Sequence, residues 1–153
     1  MNTFFESVLA SQAGWAGLVL RVGLGGVIFP HGAQKLLGWY GGYGFKGTMQ
    51  FFTETMHLPW LVGLSVILLE SVGALFLIAG FGTRVWALGY VGLFIGIILT
   101  SHLQNGFFMN WFGNQKGEGF EFALLVIAMA ITLVLGGGGH ASVDGLLLGK
   151  SKF

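Results

Sequence analysis

Residues 21–42 read RVGLGGVIFPHGAQKLLGWYGG. The stretch is apolar enough for a membrane helix, yet Arg21, His31 and Lys35 lie in or beside it and Pro30 interrupts it. Ionisable side chains at membrane depth are costly, and they are found paired or at functional sites. At about 100° per residue the three cations fall within an arc of roughly 80°, so a helix here carries one polar stripe. Pro30 can kink that helix and free backbone carbonyls beside His31. A helix of this kind must turn its stripe toward other helices, and those helices must supply acids.

The rest of the chain is built to provide them. Of 153 residues, 54% are hydrophobic and 8% are charged, against about 25% charged in soluble domains. Mean hydropathy is +0.80, which makes this an integral membrane protein. The 28 glycines are more than twice the usual ~7% and favour close approach of helices in lipid. A net charge of +1 points to no nucleic-acid partner. No cysteine is present, which excludes thiolate chemistry and Cys-ligated metal or Fe–S centres in this chain. The first residues lack the basic region of a cleaved signal and carry Glu6 instead, so they read as a retained, amphipathic lead-in.

Four apolar segments are predicted as helices, at residues 14–37, 59–81, 83–102 and 120–136. Each is read as long enough for the ~20 residues that a bilayer core requires. Pro59 suits a helix start, and Thr83 suits an N-cap. The predicted fold is all-α: a single membrane domain, 1–153, forming a four-transmembrane-helix bundle. Two long loops rich in glycine and aromatics, GWYGGYGF and NGFFMNWFGNQKG, fall on one side, where Trp and Tyr suit the headgroup belt. Met49, Phe52 and Met56 at helical spacing predict a short interfacial helix within the first loop. Lys and Arg are evenly divided between the two sides, and Arg21 tips the balance toward cytoplasmic termini.

Depth suggests the partners. At 1.5 Å per residue Arg21 lies roughly 20 Å from the outer edge of the core and Glu70 roughly 16 Å from it. The two are predicted to form a structural ion pair that registers the first two helices. His31, Lys35, His102 and Glu121 are predicted to meet at one level near the outer edge, beneath the two loops. Histidine and carboxylate there can move protons, and a cation with Gln34, Trp39 and Trp111 can hold a polar head group. Quinone is the ligand this set suits, with His31, His102 and Glu121 as the proton-handling residues. A metal or haem site on two histidines lacks ligands, and a solute or proton path needs an oligomer. A set of residues that merely cap helix ends is the plain alternative. Gly89, Gly92 and Gly96 form a small-residue face, read as helix packing or oligomerisation. Ser142 and Asp144 are predicted to cap a short terminal helix.

HGAQKLLG, the mid-membrane Glu70 before GALFLIAGFGTR, then HLQNGFF, GEGFEFALL and GGGGHASVDGLL together resemble the DoxX family across nearly the whole chain. The resemblance implies a four-helix bacterial or archaeal inner-membrane protein, related to subunits of thiosulfate:quinone oxidoreductase and quinol oxidase. It points to His31, Lys35, Glu70 and Glu121 as functional positions, to a partner redox subunit, and to quinone rather than a metal, haem, flavin or Fe–S group in this chain. The absence of cysteine sets aside a direct thiol role. Two other readings stand beside it: a scaffold or assembly subunit that binds lipid or protein, and a small-solute or proton transporter that works as a homo-oligomer.

Overall fold

A computed structural model describes residues 3–11 and 14–149, with side chains from Glu6 onward in the first segment. Those residues are helical or irregular, with no strand among them. In chain order the helices are α1 (Thr3–Leu9), α2 (Gly14–Leu37), α3 (Gly44–Gln50), α4 (Trp60–Ala79), α5 (Thr83–Asn105), α6 (Glu121–Gly136) and α7 (Val143–Leu147). The helices α2, α4 and α5 are long and apolar enough to cross a membrane. With 16 residues, α6 spans only about 24 Å, short of a ~30 Å core. The chain is therefore an all-α, multi-pass membrane protein whose outward apolar surface contacts lipid.

The core lies where α2, α4, α5 and α6 meet, around Leu24, Ile28, Leu77, Tyr90, Phe94, Val126 and Leu133. A smaller cluster of Met49, Phe52 and Ile67 fastens α3 and the turn that follows it onto α4. Two glycines set the register of α2 against α4. A Cβ at Gly25 would lie 2.6 Å from the Ile78 side chain, and one at Gly32 would lie 2.1 Å from the Glu70 carbonyl oxygen. Backbones can approach this closely only where no side chain intervenes.

This register separates the ion pair predicted from depth. Arg21 is level with Ile78, and Gly32 is level with Glu70. Eleven residue steps of α2 separate those levels, about 16 Å of helix. Helical side chains also lean toward their own N-terminus. In antiparallel helices Arg21 and Glu70 therefore lean apart.

Arg21 is instead buried at the end of the bundle where α4 turns into α5. Its Nε donates to the Gly138 carbonyl at 2.8 Å, and Nη2 donates to those of His140 (3.0 Å) and Ala141 (2.6 Å). Nη1 donates to the Ile78 carbonyl, and Asp144 supplies countercharge nearby. Gly137–Gly139 after α6 fold the chain onto α2 to present the Gly138, His140 and Ala141 carbonyls: a Cβ at Gly139, where φ is +73°, would lie 2.1 Å from the Gly14 carbonyl oxygen. Asp144 caps a different helix from the one predicted. Its carboxylate accepts the N–H groups of Gly82 (2.7 Å) and Thr83 (2.9 Å) at the start of α5. Thr83 is thus a capped residue rather than a cap, while Ser142 does cap α7, accepting the Gly145 N–H at 3.1 Å.

Candidate functional site

Glu70 is buried in the middle of α4 and forms an ion pair with Lys35 of α2. The lean that parts Glu70 from Arg21 brings it to Lys35, because Lys35 points back down α2 while Glu70 points up α4. Only 7% of the Glu70 side chain is exposed, against 24% for Lys35. Glu70 sits in a π turn, Leu69–Gly73. Such turns disturb the α ladder and recur at functional sites. The buried Tyr90 of α5 donates its hydroxyl to the Leu69 carbonyl at 2.9 Å, which fastens the turn that carries Glu70.

Beside the pair lies a cavity of about 540 Å³ between α4 and α5, with Phe52, Met56 and Leu58 of the segment after α3 over one end. That volume lies within the range of small-molecule sites. Its wall is apolar apart from Lys35, Glu70 and the hydroxyls of Ser65, Thr100 and Ser101. Val62, Ser65, Leu88 and Gly92 line it and are exposed on the outer surface of the bundle, so it opens sideways between two spans. Gly92 and Gly96 form its floor, and a Cβ at either would meet nothing within 4 Å. Gly89 alone of that face packs tightly, with the Leu69 side chain 2.5 Å from where its Cβ would be. Two further π turns border the cavity: Phe51–Thr55 contributes Phe52, and Ile98–His102 contributes Thr100 and Ser101.

The other residues predicted for one pocket are dispersed. His31 is exposed on α2. His102 lines a separate polar pocket with Ser101, Gln104, Lys116 and Glu118, and its Nδ1 is buried without a partner. Glu121 is occupied by the second loop, where Oε1 accepts the Met109 N–H at 2.8 Å and the Trp111 indole N–H at 3.3 Å. Trp39 and Trp111 are both exposed. Gln34 lies beside Lys35 in a smaller cavity beneath the first loop. The single level expected for His31, Lys35, His102 and Glu121 thus divides into separate places, because the loops draw the end-of-helix residues to themselves. The predicted set omitted the glycine floor of the cavity and Tyr90. The spacing of Gly89, Gly92 and Gly96 was the available signal, but a stripe that packs and a stripe that lines a groove have the same sequence.

The model of the DoxX family matches residues 16–103. The chain belongs to the DoxX family. Every residue that lines the cavity between α4 and α5 falls within this DoxX stretch, whereas Glu118 and Glu121 fall outside it. A relative from Bacillus subtilis (strain 168), whose name reads "Putative oxidoreductase CatD", is 30% identical over 127 residues, 83% of either chain. No solved structure matches this DoxX protein.

Proposed function

We propose that this DoxX protein is the quinone-binding membrane subunit of a redox system, and that the cavity between α4 and α5 is its binding site. The observation that carries the reading is a lone ion pair, Lys35–Glu70, at one end of an apolar cavity that opens sideways between two spans. The named oxidoreductase among its relatives supports the same class of activity. A quinone has a ring with two carbonyl oxygens and a long apolar tail, and it reaches its sites from the bilayer. Its reduction takes up two electrons and two protons. Lys35 is placed to donate a hydrogen bond to a ring oxygen, and Glu70 is placed to hold a proton beside it. Phe52, Leu69 and Leu93 would exclude water from the ring, and the floor at Gly92 and Gly96 would admit the tail. Electrons would come from a partner subunit that oxidises a small donor, such as a reduced-sulfur compound. In this reading α6 crosses the membrane as a fourth span, the termini are cytoplasmic, and the membrane is the inner membrane of a prokaryote.

The test is a titration of the purified protein with a ubiquinone or menaquinone analogue, read by tryptophan fluorescence. Gly92→Leu and Gly96→Leu add side chains to the cavity floor from positions where a Cβ meets nothing within 4 Å. Both variants are expected to weaken binding at least tenfold while melting within 2 °C or so of the parent, since surface substitutions usually cost under about 0.5 kcal/mol. Quenching that does not saturate, or that both variants retain, overturns the quinone site.

A further inference from the structure

Lys35 belongs to two cavities. One is the apolar cavity between α4 and α5. The other, of about 290 Å³, lies under the first long loop and is lined by Gln34, Gly42, Tyr43 and Thr48 together with Lys35 and Phe52. Lys35 and Phe52 therefore form the wall between them. The smaller cavity reaches the surface at Tyr43, which is 82% exposed. It offers water the Gln34 amide, the Thr48 hydroxyl and the Lys35 ammonium. One water in the liquid occupies about 30 Å³, and a buried water needs two to four polar partners, so a short file of waters fits.

We propose that this second cavity is a water-filled entrance on the long-loop side, through which the Lys35–Glu70 pair exchanges protons with the aqueous phase. Phe52 stands as the partition that keeps the apolar cavity dry. The approach from the termini is closed, and the approach from the bilayer is apolar. Toward the termini lie Leu24, Ile28, Ala74 and Leu77, all buried. Toward the bilayer lies the apolar cavity. The gradient of exposure along the pair runs the same way, since Lys35 is more exposed than Glu70. The elements packed around the pair bring Tyr90 as their titratable side chain: α5 supplies it, with its hydroxyl committed to the Leu69 carbonyl, while α3 supplies Thr48 and Met49 and the π turn after it supplies Phe52. A proton entering by this route meets Lys35 first and reaches Glu70 through it. The route stands on the geometry of the two cavities, and it rests on the quinone reading only for the use made of the protons.

The chain has no cysteine, so single-cysteine variants report access without background. Gln34→Cys, Thr48→Cys and Lys35→Cys are reconstituted in vesicles and treated with a membrane-impermeant trimethylammonium thiosulfonate. Lys46→Cys, in α3, reports the long-loop face, and Phe81→Cys, between α4 and α5, reports the opposite face. The expected result is labelling of all three sites from the Lys46 face alone. Ser65→Cys, on the bilayer side of the apolar cavity, should react at least tenfold more slowly. Failure of Gln34→Cys and Thr48→Cys to label from that face overturns the entrance. So does a faster reaction from the Phe81 face, or a Ser65→Cys rate equal to that of Lys35→Cys. Where Lys35→Cys does not fold, the Gln34 and Thr48 variants decide the matter. Labelling as expected with no saturable quinone binding would retain the entrance and remove the quinone site.

Discussion

At the scale of single residues, Glu70 and Arg21 are buried with different sets of partners, and the two sets predict different behaviour. Glu70 depends on Lys35. Removing one member of a buried pair costs about 3–5 kcal/mol, and the partial exposure of Lys35 places this pair toward the lower end. Glu70→Gln should therefore lower the melting temperature in detergent clearly more than Glu118→Gln, whose carboxylate is exposed and accepts the Asn110 N–H. Joining Lys35→Met to Glu70→Gln should recover much of the loss, because the uncompensated ammonium is removed as well. A double variant no more stable than Glu70→Gln alone would contradict the pairing. Arg21 depends on four carbonyls and on the fork geometry of its guanidinium. Arg21→Lys keeps the charge but cannot reach all four, and each orphaned buried group costs about 1–3 kcal/mol. Thermal unfolding of Arg21→Lys should show a loss close to that of Arg21→Met; full stability in Arg21→Lys would mean that charge alone suffices.

At the scale of elements, the contact between α2 and α4 decides where the pair forms. Gly32→Ala would drive a methyl group into the Glu70 carbonyl, and overpacking typically costs about 1–3 kcal/mol. The variant should be destabilised and should also lose quinone affinity, because the register that aligns Lys35 with Glu70 is disturbed. Gly23→Ala, which would meet nothing within 4 Å, is the matched control and should melt like the parent. Sequence patterning gave segments 14–37 and 59–81, which overlap Gly14–Leu37 and Trp60–Ala79. It could not register one against another, since depth counted from an assumed starting residue carries an error of a turn or more and ignores the lean of the side chains. The polar stripe on α2 divided for that reason, Arg21 going to the hairpin and Lys35 to Glu70.

At the scale of the whole molecule, the interior ends of the helices are tied in two different ways. At the hairpin end, Arg21, Asp144 and the folded glycines hold α2, α4, α5 and α7 together. At the long-loop end, α3 and the second loop lie over the bundle, the latter held by Glu118 and Glu121. If α6 crosses the bilayer, Lys116→Cys in the second loop and Leu146→Cys in α7 should label from opposite faces of oriented vesicles. Labelling of both from one face would reduce the crossing helices to the three that are long enough by themselves.

The amino-acid sequence by itself determined that this is a helical membrane protein, where its long apolar helices run, and that its few charges within them had to be paired or put to use. Those properties follow from composition and from periodicity along one chain, which the cost of placing polar groups in lipid constrains directly. Which charge meets which was decided by the tertiary structure. So was the role of Gly92 and Gly96, which line a cavity instead of a helix contact, and the attachment of Glu121 to a loop instead of a pocket. These depend on the relative height and rotation of helices, set by the closest backbone contacts at Gly25 and Gly32 and by carbonyls that appear only once the segment after α6 has folded back onto α2.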